Sequence, residues 1–239
     1  MLIGTIVNAL AVICGGSIGL LLKKGFPEKL NKTIMKGLGL CVLYIGITGM
    51  LEGINTLIII ISIVIGASIG ELLDLDKRLS DMAKKIEEKV GSKKNSEKKE
   101  QSTIAEGLVT STLLFCVGAM AIVGSLQSGL GQGHDTIYTK AILDFVAAIL
   151  FASTLGIGVL FSAILVFLYQ GSITLLANFI APFLSDVVVS EMTCVGSLLI
   201  AGLAFNMLEM TKIKVMNYVP AIFMPILIYG GIGLYTRYF

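Results

Sequence analysis

The chain has a single histidine, no tryptophan, four prolines and four cysteines in 239 residues, and only 14% of it is charged. Each scarcity closes a class of function. The one histidine, His134, sits in a glycine-rich stretch with Gly129, Gly131 and Gly133, so no HExxH helix, histidine-based triad or haem pair exists. No GxxxxGK-Ser/Thr string occurs, which excludes an ATP-driven pump within this chain. Cys14, Cys41, Cys116 and Cys194 all fall in apolar runs without CxxC spacing. They read as small packing residues rather than as a disulfide framework or a metal cage. The sequence therefore offers no catalytic residue, metal ligand or cofactor motif, and no enzymatic activity is expected. A soluble domain carries about a quarter charged residues, and this chain falls well short of that.

What fills the space is apolar. Hydrophobic residues make up 55% of the chain and its mean hydropathy is +0.91. About twenty consecutive apolar residues suffice for a helix to cross the hydrocarbon core, and such runs follow one another here. A membrane β-barrel would show ten-residue alternation instead. The runs are Leu2–Leu22, Ile34–Leu51, Ile54–Leu73, Ile104–Leu126, Ala141–Leu155, Gly156–Ile180, Val189–Met210 and Val215–Tyr235. They predict an all-α, polytopic helical membrane protein of about eight spans. Residues 1–73 form a first three-span unit, 74–103 a charged loop, and 104–239 a second membrane unit of about five spans.

With the spans so placed, sixteen of the eighteen Lys and Arg residues fall in odd-numbered loops, and only Lys140 and Arg237 fall on the opposite face. Cytoplasmic loops carry the Lys/Arg excess, so both termini are expected outside and the 74–103 loop inside. Asp74–Val90 has helical apolar spacing and reads as an amphipathic helix on that face. The N-terminus lacks the basic region of a cleavable signal peptide. A net charge of +2 reflects orientation and gives no reason to expect a nucleic-acid partner. Three spans before the central loop would set a second three-span unit upside down, the inverted-repeat plan of secondary transporters.

Polar groups in lipid are costly, so intramembrane polar residues are functional candidates. Asp144 is the one acid well inside a span, either an ion-coupling carboxylate or the partner of Lys140 at i, i+4. Gln170, Gly171, Ser172 and Thr174 lie together, and glycine beside hydrogen-bonding side chains suits a broken or kinked helix. Gln127 ends the fourth span in related chemistry, while Asn8 and Asn206 lie within the first and seventh. Gln170 and Thr174 read equally as interhelical hydrogen-bonding residues, Gln127 as merely interfacial, and Asn8 and Asn206 rather as interhelical glue. Gln170 and Asp144 are expected to alter transport when substituted, with folding intact. Gly15/Gly19 and Gly66/Gly70 are GxxxG pairs that let helix backbones approach.

The strings Gly4-Thr5-Ile6-Val7-Asn8-Ala9, Gly37-Leu38-Gly39-Leu40-Cys41, Gly118 through Gln127, and Tyr169-Gln170-Gly171-Ser172-Ile173-Thr174 resemble the bacterial family catalogued as domain of unknown function 554. The resemblance spans nearly the whole chain. It implies a multi-pass bacterial plasma-membrane protein, supplies no substrate and no site, and coincides with Asn8, Gln127 and Gln170. The reading is a secondary transporter or channel-like permease, with the lipid bilayer and a small solute or monovalent cation as partners. A homo-oligomer is compatible with it. The competing class is a non-transporting scaffold or partner-binding subunit. Asn8, Asp144 and Gln170 facing one wet crevice would favour transport; their separation in dry packing would favour the scaffold.

Overall fold

The apolar runs fold as helices because a chain in lipid must satisfy its backbone polar groups internally. The computed structural model describes residues 2–23, 28–81 and 99–238, which are helical with no strand among them. Three long helices come first: α1 (Ile3–Lys23), α2 (Glu28–Met50) and α3 (Thr56–Leu73). A short helix α4 follows, described over 75–81. The remainder of the expected amphipathic helix, from 82 onward, lies outside the described residues. Then come α5 (Lys99–Cys116), α6 (Ala119–Gly129), α7 (Asp135–Leu155), α8 (Gly158–Leu175), the single turn α9 (Ala177–Ile180) and α10 (Asp186–Met207). A 3-10 stretch, Val215–Phe223, leads into α11 (Met224–Tyr238).

Six helices, α1, α2, α3, α7, α8 and α10, are long and apolar enough to cross a membrane. Counting α5 and α6 as one bent span makes seven. The expected eighth, Val215–Tyr235, is apolar over Val215–Gly231 but too short by the same measure. Its first part winds as a 3-10 helix around Pro220, which has no N–H to give an α-helical ladder.

Local chemistry fixes the ends. Asn55 caps α3 by accepting from the Leu57 N–H, and Asp74 closes it in the left-handed region at φ 46°. Ser185 caps α10 through the Val188 N–H. Gly156, at φ 79°, turns the chain between α7 and α8, where the expected runs Ala141–Leu155 and Gly156–Ile180 meet. One break falls elsewhere than expected. α8 runs unbroken through Gly171, whereas the fourth span bends by 61° between α5 and α6. Gly118 makes the bend at φ 125°, a conformation that residues with a Cβ rarely adopt.

The bundle is built around α10, 78% of whose span is buried, against 22% for α2 and α3. α1 lies along α7, α2 along α10, and α3 along Val215–Phe223. The glycine pairs sit at two of these seams. A Cβ at Gly15 or Gly19 would collide with the Phe145 and Ile149 carbonyl oxygens of α7, and one at Gly66 or Gly70 with the Ala221 and Asn217 backbone. The helices of residues 1–73 thus find their partners in 104–239. Their other faces are apolar and open: Leu40, Tyr44, Leu57, Val64 and Leu72 are exposed, as befits side chains that meet lipid.

Candidate functional site: a buried polar cluster

Three helices converge on one polar group. Asn8 of α1, Lys140 and Asp144 of α7 and Gln170 of α8 form a single hydrogen-bonded set. Lys140 Nζ donates to both Asp144 carboxylate oxygens, at 2.8 and 2.7 Å. Asn8 Nδ2 donates to Asp144 Oδ2 at 3.0 Å and to Gln170 Oε1 at 3.1 Å. The i, i+4 spacing stacks Lys140 and Asp144 on one face of α7. The parallel run of α1, drawn close by Gly15 and Gly19, carries Asn8 to the same level. On α8 the same spacing puts Gln170 and Thr174 on the face towards α1, where the Thr174 and Thr5 hydroxyls lie 3.4 Å apart. Thr174 also donates to the Ser125 carbonyl oxygen of α6 at 3.1 Å.

The cluster is enclosed: Asn8 and Gln170 are 0% exposed, Asp144 5% and Lys140 6%. Its hydrogen-bond accounting leaves a remainder. The carboxylate obliges Asn8 to present its amide NH2, so Asn8 Oδ1 points away from it. Gln170, accepting through Oε1, is left with a free NH2. Asn8 Oδ1 and Gln170 Nε2 are both buried without a partner, a costly state for groups shut off from water. One acceptor and one donor beside a closed ion pair form a site whose polar capacity exceeds what its own side chains use.

Two sequence expectations need correcting. Gln170 stands five residues from the end of an 18-residue helix rather than near the middle of the Gly156–Ile180 run, so it lies in the last third of α8. Asp144→Asn would not leave folding untouched, because it strands the Lys140 charge in a buried site.

The other candidates lie elsewhere. Ser172 is exposed and returns its hydroxyl to the Leu168 carbonyl oxygen. Gln127 accepts from Thr136 at 2.7 Å near the start of α7. Asn206 ties the turn after α10, donating to the Ile213 carbonyl oxygen and accepting from Ile213 N–H and Thr211.

Sequence reasoning passed over Glu191. It is 0% exposed, its Oε1 accepts from the Ile54 and Asn55 N–H groups at 3.2 and 2.6 Å, and its Oε2 has no partner. An acid in the second turn of a helix is favoured by the helix dipole and drew no notice; its service to the α2–α3 turn is a tertiary matter. Asn217 is a second such residue. It accepts from the Asp76 N–H and donates to Glu71, fixing α4 against the 3-10 stretch. Outside the spans, burial pushes the Asp76 carboxyl above the usual carboxylate range, with Lys214 opposing and Asp74 and Glu71 reinforcing. A cavity of about 210 Å³ adjoins the bend at Gly118, lined by Thr112, Cys116, Val117, Tyr169 and Phe223 among others.

Among the described residues no group of His, Cys, Asp and Glu side chains could hold a metal ion. The family model described as "Protein of unknown function (DUF554)" matches residues 3–230. The chain is 29% identical over 226 residues to the "Uncharacterized membrane protein YdfK" of Bacillus subtilis (strain 168), covering 93% of each. It is 28% identical over 222 residues to the "Uncharacterized protein YqgA" of Escherichia coli (strain K12), covering 93% of this chain and 94% of the other. No solved structure matches significantly. A bundle of six or seven apolar helices, matched over nearly its whole length by that model, is a membrane protein belonging to the family of proteins of unknown function DUF554.

Proposed function

We propose that this membrane protein is a secondary transporter or channel-like permease for a small solute or ion. The observation that carries the reading is the Asn8–Asp144–Lys140–Gln170 cluster. Buried charges in a bundle are expensive and mark ion or substrate paths, and this one retains an unused acceptor and an unused donor. The break between α5 and α6 supports it too, since discontinuous helices are how transporters free backbone groups near a site. Transport, not catalysis, is the activity proposed. One observation favours a scaffold instead: the cluster is closed, and buried polar residues can serve packing alone.

The test is flux of a metabolite and ion panel into proteoliposomes holding the purified protein. Gln170→Ala is expected to cut that flux at least tenfold, roughly the effect of 1.4 kcal/mol on a barrier. Its melting temperature should change little, because an interhelical hydrogen bond in a membrane averages about 0.6 kcal/mol. An unfolded Gln170→Ala protein, or one with wild-type flux, would sink the proposal.

The charge asymmetry supports a bacterial plasma-membrane orientation with both termini outside. Single cysteines at Ser92 and Gln132, on a cysteine-free background, should then react oppositely with an impermeant thiol reagent applied to cells. Labelling of Ser92→Cys from outside would reverse the orientation.

A further inference from the structure

We infer that the Lys140 ammonium occupies a site for a monovalent cation, formed by Asp144, Gln170 and Asn8, and that a K+-sized ion and this side chain compete for it. The inference deepens the transport reading and rests on it, by naming the class of solute.

The ammonium is gripped by both oxygens of one carboxylate, as a small cation would be. Lys140 Nζ stands 2.8 and 2.7 Å from the two Asp144 oxygens. An ammonium head is close in size to K+, and both are held by oxygens that replace their hydration shell. The surrounding groups supply such oxygens. Gln170 Oε1 belongs to the same hydrogen-bonded set through Asn8. Asn8 Oδ1 is buried and unclaimed, and a half-turn of its amide would bring it beside Asp144 Oδ2, the oxygen that the ammonium also contacts. The Thr5 and Thr174 hydroxyls, both fully buried, lie one helical turn away on the same faces.

Such a set is over-provided for one lysine. A structural ion pair needs one carboxylate and donors to fill its lone pairs. Here the carboxylate is already shared by Lys140 and Asn8, yet two further amide atoms are sealed in without partners. A site that alternates between two occupants accounts for the idle Asn8 oxygen. With Lys140 in place, Asn8 donates to the carboxylate and its oxygen is idle. With a metal ion in place, that oxygen becomes a ligand and Lys140 must leave along α7 towards the near end, five residues from Asp135. A lysine is suited to this, since its charge rides on a flexible four-carbon stem. The carboxylate is never left alone in the bundle, which removes the largest cost of moving an ion through it.

The experiment is thermal unfolding of the purified full-length protein in detergent, in KCl, NaCl and choline chloride at equal ionic strength. Wild type should melt alike in all three, its site filled by the ammonium. Lys140→Ala should melt lower in choline and recover saturably in KCl or NaCl, by roughly 5–10 °C at a concentration about 100-fold above the Kd. Adding Asp144→Asn to that variant should abolish the recovery. Lys140→Met, which keeps the side-chain volume, repeats the test if the alanine variant fails to fold. Equal melting of the variant in all three salts would overturn the inference, as would an equal rise for wild type and variant, or failure of both lysine variants to fold in any salt. Failure here is separable from failure of the transport reading. Flux lost in Gln170→Ala with no cation response removes only the occupant. A cation response without flux keeps the site and removes the transport.

Discussion

Asp144→Ala is expected to destabilise the protein by about 3–5 kcal/mol, the largest single-residue effect in the bundle. The reason lies in what it leaves behind. Lys140 is 6% exposed and donates to both oxygens of that carboxylate. Removing one partner of a buried pair leaves an uncompensated charge, whereas replacing both by apolar residues of similar volume is often neutral or stabilising. Asp144→Leu combined with Lys140→Met should therefore unfold within about 1 kcal/mol of wild type. Unfolding in mixed micelles of increasing SDS content measures both. Equal losses for Asp144→Ala and the paired variant would show that the site depends on the pair itself and not on charge balance.

Gly66→Leu should be the most damaging substitution outside the cluster. A single Cβ at that position already collides with the Ala221 backbone, so the clash is with main chain and cannot be relieved by a rotamer. Overpacking costs about 1–3 kcal/mol where side chains can yield, and this seam should exceed that range. Gly15→Leu, facing the Phe145 carbonyl, should behave likewise. Gly37→Leu is the control, because nothing lies within 4 Å of its Cβ position. Melting temperatures of the three variants in detergent decide the matter. Parity between Gly66→Leu and Gly37→Leu would remove close packing as the role of the pair.

Six or seven of the eight expected spans were legible because apolar length is a local property. Asp135–Leu155 and Asp186–Met207 start several residues before the runs that announced them, since α7 and α10 begin with acids that suit a helix N-terminus. Partners were not legible. Asn8 and Asp144 are 136 residues apart, and nothing along the chain says that α1 runs beside α7. The i, i+4 relation of Lys140 and Asp144 was readable, but not whether it lay at the surface or in the core. Gly171 and Gly118 show the limit most plainly. Both are single glycines in apolar runs. The first sits in an unbroken helix where a Cβ would fit at ordinary contact distance from Leu2 and Thr5, and the second turns the chain by adopting a positive φ. Composition around them pointed to the wrong one, because a backbone angle leaves no mark on hydropathy.

The pairing of α1 with α7, α2 with α10, and α3 with Val215–Phe223 also sets a problem of timing. A ribosome feeding this chain into the bilayer completes the first three helices before any of their main partners has been made. Asn8 must wait for more than a hundred further residues before it meets a carboxylate, at about 5–20 residues per second. During that interval the early helices lie in lipid as separate rods, with their glycine faces open to whatever passes. Final assembly is a late, high-contact-order event that begins when α7 arrives and closes only once Val215–Phe223 has met α3.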